Sequence, residues 1–342
     1  MYVDVMTGGL SLTRMQQLAK DTKTAGFSGL VITEGGRTAY LSAAAAALAA
    51  EIDIATGIAV AFPRSPMITA QTAYELADAT KGRFRLGLGT QVRAHIERRF
   101  STTFDAPGPR LREYVEAVRA CFAAFRREEP LNFEGHFYKL SLLPGTWSPG
   151  PIGAANPPID VSAVNPWMLR MAGQVADGVH VHPLNHSRYL NDVVAPNVAA
   201  GAALSGRSAA DIKLIVPCFT AVGSPEERAK YREMARTQVA FYGSTPNYSF
   251  MFELLGRPDT TDRIRERQKA GDIAGMTAVI DDELLDHFTI DGPWDEVPDL
   301  VRAKYAGVAE RVVFYSAGNA WANDRDHFDA LGEVAGKITG MP

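Results

Sequence analysis

Residues 54–66 read IATGIAVAFPRSP, and residues 82–91 read GRFRLGLGTQ. The first stretch predicts a buried strand and a loop, after which Ser65 and Pro66 can begin a helix as its N-cap and first residue. The second stretch predicts another buried strand, and its glycines suit a turn where a ligand approaches the backbone closely. Two neighbouring strand ends would therefore share one pocket.

Strand and helix signals alternate along the whole chain. Most of the apolar runs are continuously hydrophobic, which is typical of strands buried on both faces of a parallel sheet. Eight such alternations predict an α/β fold, and they favour a (β/α)8 TIM barrel over an open doubly wound sheet. The eight runs are Val3–Met6, Leu30–Thr33, Ile54–Ala59, Phe84–Leu88, Ile159–Ala163, Gly178–His182, Leu214–Ala221 and Val312–Tyr315.

Two stretches do not fit the simple alternation. Residues 128–158 are rich in Pro and Gly and include a small predicted hairpin at 132–140, and residues 241–294 insert a loop and short helices before the last strand. Long connections on a barrel often carry function, so both insertions are candidate lids. No Ser/Gly/Pro-rich linker divides the chain, and we expect a single domain over residues 1–342.

Composition excludes several function classes. The chain has 342 residues, 46% of them hydrophobic, and a formal net charge of −4, with basic residues scattered among carboxylates. This pattern argues against a nucleic-acid partner. The apolar stretches are too short or too interrupted to span a bilayer, and the first residues do not resemble a signal peptide, so we expect no membrane partner and a cytoplasmic location. Cys121 and Cys218 lie far apart in sequence and are expected to be buried thiols.

Six stretches together carry a family resemblance. They are residues 54–66, 86–100 (LGLGTQVRAHIERRF), 112–118, 133–137, 171–178 and 305–311. The first resembles the third strand of the bacterial luciferase-like flavin and deazaflavin oxidoreductases, whose end carries a non-prolyl cis peptide, and the matching bond here is Gly57–Ile58. The second resembles the branch predicted to use coenzyme F420. The resemblance covers nearly the whole chain and implies a luciferase-like barrel, a deazaflavin cofactor and a homodimer.

The predicted cofactor pocket combines three strand ends. The resemblance implies that Ile58 presses on one face of a tricyclic ring, leaving the other face open for hydride transfer. It also implies that the phosphate-bearing side chain of the cofactor lies at the helix that begins at Asn165-Pro166, whose free N–H groups suit an anion. Relatives often have a glycine pair where Val164 and Asn165 stand. The predicted cofactor-binding residues are Gly57, Ile58, Ala59, Gly89, Thr90, Gln91, Ala163, Val164 and Asn165.

Three residues are candidates for acid/base catalysis. Glu34 ends the second strand, where relatives usually carry an acid near the cofactor. The sugar-phosphate dehydrogenase branch follows its acid with a histidine, whereas this chain has Gly35 and Gly36, so we expect a different substrate. His180 and His182 lie two residues apart on the sixth strand and so point to the same side.

The sequence favours an F420-dependent oxidoreductase acting on a small organic substrate, with three alternatives open. An FMN-dependent monooxygenase on the same fold is the nearest. The second is a metal-dependent barrel hydrolase, which would use His180 and His182, but no further ligand motif accompanies that pair and we predict no metal. The third is a noncatalytic cofactor-binding protein.

Overall fold

Parallel strands around a central axis form the framework of the protein. The computed structural model describes residues 1–339. Its strands are β1 (Tyr2–Gly8), β2 (Gly29–Thr33), β3 (Asp53–Thr56), β4 (Ala59–Val60), β5 (Phe84–Gly89), β6 (Phe133–Glu134), β7 (Lys139–Leu140), β8 (Ile159–Ser162), β9 (Gly178–His180), β10 (Lys213–Val222), β11 (Thr289–Gly292) and β12 (Arg311–Phe314).

Eight of these strands close a barrel. The pairing order is β1, β2, β3, β5, β8, β9, β10 and β12, and β12 pairs again with β1; β4 continues the path of β3 and also pairs with β5. All of these pairings are parallel, so the C-terminal ends meet at one mouth, where barrel sites lie. The predicted TIM barrel is confirmed, and each of the eight apolar runs contributes to it.

Helices surround the barrel, and the two whose first residues the sequence predicts begin at Pro66 and Pro166. Ser65 and Asn165 accept hydrogen bonds from the third residue of the helices they precede, and Gly26 ends the first helix in a left-handed conformation with a φ of 104°. The helices are α1 (Leu12–Ala25), α2 (Ala39–Ala47), α3 (Pro66–Ala79), α4 (Arg93–Arg98), α5 (Pro107–Phe125), α6 (Pro166–Val175), α7 (Ser187–Tyr189), α8 (Ala195–Leu204), α9 (Pro225–Gly243), α10 (Ser249–Glu253), α11 (Thr260–Lys269), α12 (Ile273–Ala278), α13 (Asp282–Asp286), α14 (Val297–Tyr305), α15 (Ala317–Asn323) and α16 (Arg325–Ile338).

The barrel interior is apolar in its middle and ionic near the N-terminal strand ends. Val31, Ala55, Ile215 and Val313 pack together there, with Met6 against them. Below them, two groups of buried and half-buried side chains form charge-assisted pairs that compensate for lost hydration. Arg311 donates to Asp4 at 2.6 and 2.8 Å and pairs with Asp53 at 2.8 Å, and Arg85 donates to Asp160 at 2.9 and 2.6 Å.

The two insertions are more structured than the sequence pattern indicates. The hairpin predicted at 132–140 is present as the antiparallel pair β6 and β7. Within 241–294, the expected loop and short helices are joined by a strand, β11, which pairs with the outer part of β10 from Phe219 to Val222. This strand was missed because it is short and has only one partner. Helix α9 also continues to Gly243, so Tyr242 lies in its last turn instead of in a loop.

None of the helices within residues 1–339 is both long and apolar enough to cross a membrane.

Candidate active site at the barrel mouth

The third barrel strand is interrupted at the residues that the family resemblance singles out. β3 ends at Thr56, β4 resumes at Ala59, and the Gly57–Ile58 peptide bond between them is cis, as predicted. The N–H of Gly57 donates to the carbonyl oxygen of Ile32 at 2.8 Å, so the backbone remains tied to β2 at this point. Ala59 is buried and pairs with Leu88, whereas Gly57 and Ile58 are half-buried at the mouth.

The side chain of Thr56 takes the place of the backbone hydrogen bonds that are missing between β3 and β5 at the interruption. Its hydroxyl donates to the carbonyl oxygen of Gly87 at 2.8 Å and accepts from the N–H of Gly87 at 2.9 Å. Both backbone groups of Gly87 are therefore satisfied although the strand opposite is broken. These bonds and the bond from Gly57 to Ile32 together stabilise the interruption.

Glycines at this side of the mouth leave room for neighbouring side chains, and Ile58 forms the floor of the mouth there. A Cβ atom on Gly89 would lie 2.7 Å from Cδ1 of Ile58 and 2.7 Å from the hydroxyl oxygen of Ser162. A Cβ on Gly87 would overlap the carbonyl oxygen of Thr56 and lie 2.6 Å from Nε2 of His180. The close approach of Ile58 and His180 therefore depends on glycine at both positions.

Glu34 is held by the chain itself. Its Oε2 accepts from the N–H of Val60 at 2.7 Å and from Arg64 at 2.9 Å, and its Oε1 accepts from Arg64 at 2.5 Å. The Glu34 side chain is 4% exposed. Although burial opposes it, the hydrogen bond and charge of Glu34 raise the pKa of Arg64 above its usual value. These contacts make Glu34 a positioning residue for β4, and its acid/base role stays a prediction.

His180 lies beneath the interruption. A Cβ on Gly57 would be 3.3 Å from two atoms of the His180 ring, so this ring packs under the cis bond. Its Nε2 is buried without a hydrogen-bond partner, and the nearest carboxylate oxygen, on Asp160, is 3.7 Å away. Burial lowers the pKa of His180 to about 4, so the ring is neutral near pH 7.

His182 has different neighbours from His180. Its Nδ1 accepts from the N–H of Leu184 at 3.1 Å, which assigns the proton of the neutral ring to Nε2. The ring centre lies 4.8 Å from that of Tyr242 and 4.3 Å from that of Tyr248. Burial lowers the pKa of His182 to about 3. The part of the chain that the structure describes contains no group of three or more His, Cys, Asp or Glu side chains placed to hold a metal ion.

In the turn after β5, side chains form hydrogen bonds with the backbone of the same turn. Gln91 has a left-handed φ of 57°, and its Oε1 accepts from the N–H of Val92 at 2.9 Å. The hydroxyl of Thr90 donates to the carbonyl oxygen of Gln91 at 3.1 Å. Both side chains are half-buried at the mouth, and their predicted contacts with a cofactor stay predictions.

The segment after β8 lies at the start of α6. Ala163 is buried, and the carbonyl oxygen of Val164 accepts from the hydroxyl of Tyr189 at 2.8 Å. Asn165 is exposed, and its Oδ1 accepts from the N–H of Met168 at 2.9 Å, as expected of an N-cap. The helix N-terminus is therefore at the mouth, and the predicted phosphate contact there stays a prediction.

The sequence pattern missed two residues of the mouth. Ser162, whose hydroxyl lies against Gly89, ends β8 one residue before the predicted segment. Tyr315 follows β12, and its hydroxyl lies 2.6 Å from that of Tyr242. In the sequence, Tyr315 ends the last apolar run. A tyrosine at the end of a barrel strand is the only sequence feature that indicates its place at the mouth.

Comparisons with known proteins agree with this architecture. Residues 3–311 match the family model described as luciferase-like monooxygenase. An uncharacterised protein of Mycobacterium tuberculosis is 36% identical over 316 residues, which cover 91% of this chain and 93% of that protein. The 5,10-methylenetetrahydromethanopterin reductase of Archaeoglobus fulgidus is 28% identical over 269 residues, which cover 76% of each chain.

Among solved structures, the fold is similar to that of the coenzyme F420 dependent tetrahydromethanopterin reductase from Methanopyrus kandleri. The TM-score is 0.77 at 21% sequence identity, and the match covers 98% of this chain and 97% of the other.

Proposed function

The chain belongs to the luciferase-like monooxygenase family, and we propose that it is a coenzyme F420-dependent oxidoreductase that transfers a hydride between the deazaflavin and a small organic substrate. The observation that carries this proposal is the position of Ile58, which follows the cis bond at Gly57 and lies at the mouth against Gly89. A flat ring system can lie on the Ile58 side chain, which fits at this place because Gly89 has no Cβ atom.

The chain's own residues would hold and orient the cofactor. Ile58 would support one face of the ring system, and Gly89, Thr90 and Gln91 would border it. The N-terminus of α6, after Asn165, would attract the phosphate through the positive end of the helix dipole. Ala59, Ala163 and Val164 would complete the pocket wall. When bound, the deazaflavin supplies the hydride chemistry, and the protein supplies orientation and protons.

The choice of coenzyme F420 over FMN is supported by the relatives. The Archaeoglobus fulgidus relative is a methylenetetrahydromethanopterin reductase, and the Methanopyrus kandleri protein of similar fold is a coenzyme F420 dependent tetrahydromethanopterin reductase. The family description, which names monooxygenases, supports the FMN-dependent alternative. Both cofactors carry a three-ring system and a phosphate, so the position of Ile58 alone does not distinguish between them.

Proton transfer is assigned to the aromatic side of the mouth. Glu34 has both oxygens engaged by Arg64 and Val60, whereas Nε2 of His182 has no recorded partner within residues 1–339. A neutral imidazole with its proton on Nε2 can donate a hydrogen bond to a substrate.

Cofactor titration is the direct experiment. The purified protein is titrated with coenzyme F420 and, separately, with FMN, and binding is followed by fluorescence. We expect saturable binding of coenzyme F420 that is tighter than that of FMN. Binding of FMN without binding of coenzyme F420 would replace the proposal with the monooxygenase alternative.

We also propose that the protein is a homodimer. Leu41 and Leu48 of the α2 region are 59% and 78% exposed, and Ile68 on the adjacent α3 is 54% exposed. Apolar side chains grouped on one surface are typical of a protein interface. Light scattering coupled to size exclusion should give twice the mass of the chain, and Leu41→Glu should shift it toward the monomer.

A further inference from the structure

Two tyrosines from distant parts of the chain meet across the mouth from Gly89. Tyr315 follows β12, which lies four strands from β5 in either direction around the barrel. Tyr242 reaches it from the last turn of α9, and the two hydroxyl oxygens are 2.6 Å apart. We refer to these two residues as the tyrosine pair.

The side chain of Tyr315 faces the barrel axis. It follows Val313 by two residues, and Val313 packs in the barrel interior. Alternate residues of a strand point to the same side, and the N–H of Tyr315 still donates to the carbonyl oxygen of Cys218 at 2.9 Å, continuing the ladder. The Tyr242 ring packs edge-on against His182, so the tyrosine pair and His182 line the same space.

The hydrogen bonds of the tyrosine pair leave the hydroxyl proton of Tyr315 only weakly bonded. When Tyr242 donates to Tyr315, the Tyr315 hydroxyl donates to Oε1 of Gln238 across 3.4 Å, a long contact that a closer acceptor would replace. Burial raises the pKa of both phenols, and the bond from Tyr242 offsets part of this rise at Tyr315. Tyr315 is therefore the better proton donor of the two.

Within residues 1–339, neither tyrosine of the pair nor His182 forms a hydrogen bond or ion pair with a charged side chain. The recorded partners of Tyr242, Tyr315 and His182 are an amide, a backbone N–H and other aromatic rings, and His182 is itself neutral near pH 7. A formal charge on the reacting end of a substrate would lose hydration here without gaining an ion pair. An uncharged polar atom, such as a carbonyl oxygen, would gain a hydrogen bond.

We propose that Tyr315 is a catalytic residue that donates a hydrogen bond, and then its proton, to the oxygen of an uncharged carbonyl substrate, and that Tyr242 is a positioning residue that orients it. This proposal rests on the proposed function, because a reduced deazaflavin supplies the hydride and becomes oxidised. The carbonyl carbon gains that hydride, the carbon–oxygen π bond breaks, and the oxygen takes the phenol proton to give an alcohol. Tyr315 then regains a proton from solvent through Tyr242.

The test uses a ketone probe and an infrared signature. Cyclohexanone labelled with carbon-13 at its carbonyl is bound to the protein loaded with oxidised coenzyme F420, and the isotope-edited carbonyl stretch is recorded. The wild-type protein should lower the stretching frequency, because a hydrogen bond to the oxygen weakens the double bond. Tyr315→Phe should return it to the value in an apolar solvent, and Tyr242→Phe should return it in part.

Turnover of the same ketone with reduced coenzyme F420 gives a second readout. Tyr315→Phe should lower kcat by about 10²-fold or more, with a smaller change in KM. Tyr231→Phe is the matched control: Tyr231 is on α9 as well, but its hydroxyl bonds Asp324 at 3.2 Å and it stacks on His327. This control should keep the wild-type band and rate.

The outcomes separate the two proposals. A carbonyl band that is identical in the wild type and Tyr315→Phe, or the absence of any band from bound ketone, overturns the role of Tyr315. Loss of the proposed function would appear instead as failure to bind coenzyme F420. The carbonyl band can also be recorded on protein without cofactor, and there it reports on Tyr315 alone.

Discussion

The two sides of the barrel mouth are built in different ways. On one side, which we call the glycine half, Gly57, Gly87 and Gly89 leave room for the side chains of Ile58 and His180. On the other side, the aromatic half, the side chains of His182, Tyr242, Tyr248 and Tyr315 pack on one another. The glycine half presents the apolar side chain of Ile58, whereas the aromatic half supplies hydroxyl and imidazole donors. Cofactor binding and proton donation are thus expected to reside on opposite sides.

His180 and His182 show how sharply the halves are divided. They are two residues apart, but the His180 ring packs against Gly57 and Gly87, whereas the His182 ring packs against tyrosines. The shared direction predicted from their spacing does not give them a shared role.

Replacing a glycine of the glycine half by alanine should give the largest effect. Which glycine is replaced should decide whether the protein loses stability or affinity for the cofactor. In Gly87→Ala the new Cβ would overlap the backbone oxygen of Thr56, which cannot move away without breaking the strand. We expect a loss of about 3 kcal/mol or more in the free energy of unfolding. In Gly89→Ala the neighbours are the ends of the Ile58 and Ser162 side chains, which can rotate.

Gly89→Ala should therefore stay folded but displace Ile58, so that affinity for coenzyme F420 falls by about tenfold or more, a change of about 1.4 kcal/mol. Urea unfolding and fluorescence titration measure the two effects. Gly36→Ala is the control, since no atom lies within 4 Å of its added Cβ. Wild-type cofactor affinity in Gly89→Ala would show that the glycine half is not the cofactor floor.

Breaking the Glu34–Arg64 pair should give the next largest effect. The Glu34 side chain is 4% exposed and that of Arg64 is 21% exposed, so removing one partner leaves the other charge poorly hydrated. We expect Arg64→Ala to lower the free energy of unfolding by about 3 kcal/mol and to weaken cofactor binding, because β4 loses its anchor.

Glu34→Gln separates positioning from acid/base catalysis. The amide oxygen can still accept from the N–H of Val60, so the variant should bind coenzyme F420 and keep the wild-type pH dependence of kcat. A pH profile that loses one limb in Glu34→Gln would instead restore Glu34 as the acid or base.

The glycine half was largely predictable from sequence, and the aromatic half was not. Gly57, Ile58 and Gly89 lie in short contiguous motifs, so local pattern and family resemblance placed them and located the cis bond. The barrel itself followed from eight apolar runs, because continuous hydrophobicity is a local property. The Tyr242–Tyr315 contact joins residues that are 73 positions apart in the sequence, and the Glu34–Arg64 pair joins residues that are 30 positions apart. Such partners depend on how α9 and the loops pack, which no local pattern encodes.

Burial of His180 should make the free energy of unfolding depend moderately on pH. Burial lowers the pKa of His180 to about 4, whereas an unfolded histidine titrates near about 6.5. Between these values the unfolded chain binds the proton and the folded chain does not, so the stabilisation is complete above the unfolded pKa and is lost as the pH falls. We expect His180→Gln to reduce the slope of unfolding free energy between about pH 6 and pH 5 by about 1.4 kcal/mol per pH unit.

Urea titrations at several pH values measure this slope, and the difference between wild type and variant cancels the contribution of other groups. A slope that is unchanged in His180→Gln would mean that His180 is hydrated enough to keep its ordinary pKa.

The smallest expected effect comes from loosening the aromatic half while leaving the glycine half intact. Tyr248 lies 4.3 Å from the ring centre of His182, and Tyr248→Leu removes that ring contact but keeps an apolar side chain. Aromatic pairs contribute about 1 kcal/mol beyond their buried area, so binding of the ketone probe should weaken by roughly fivefold through a less restrained His182. Affinity for coenzyme F420 should not change, because Ile58 and Gly89 are untouched. If Tyr248→Leu weakened cofactor binding as much as ketone binding, the two halves would act as one surface and the proposed division between them would fail.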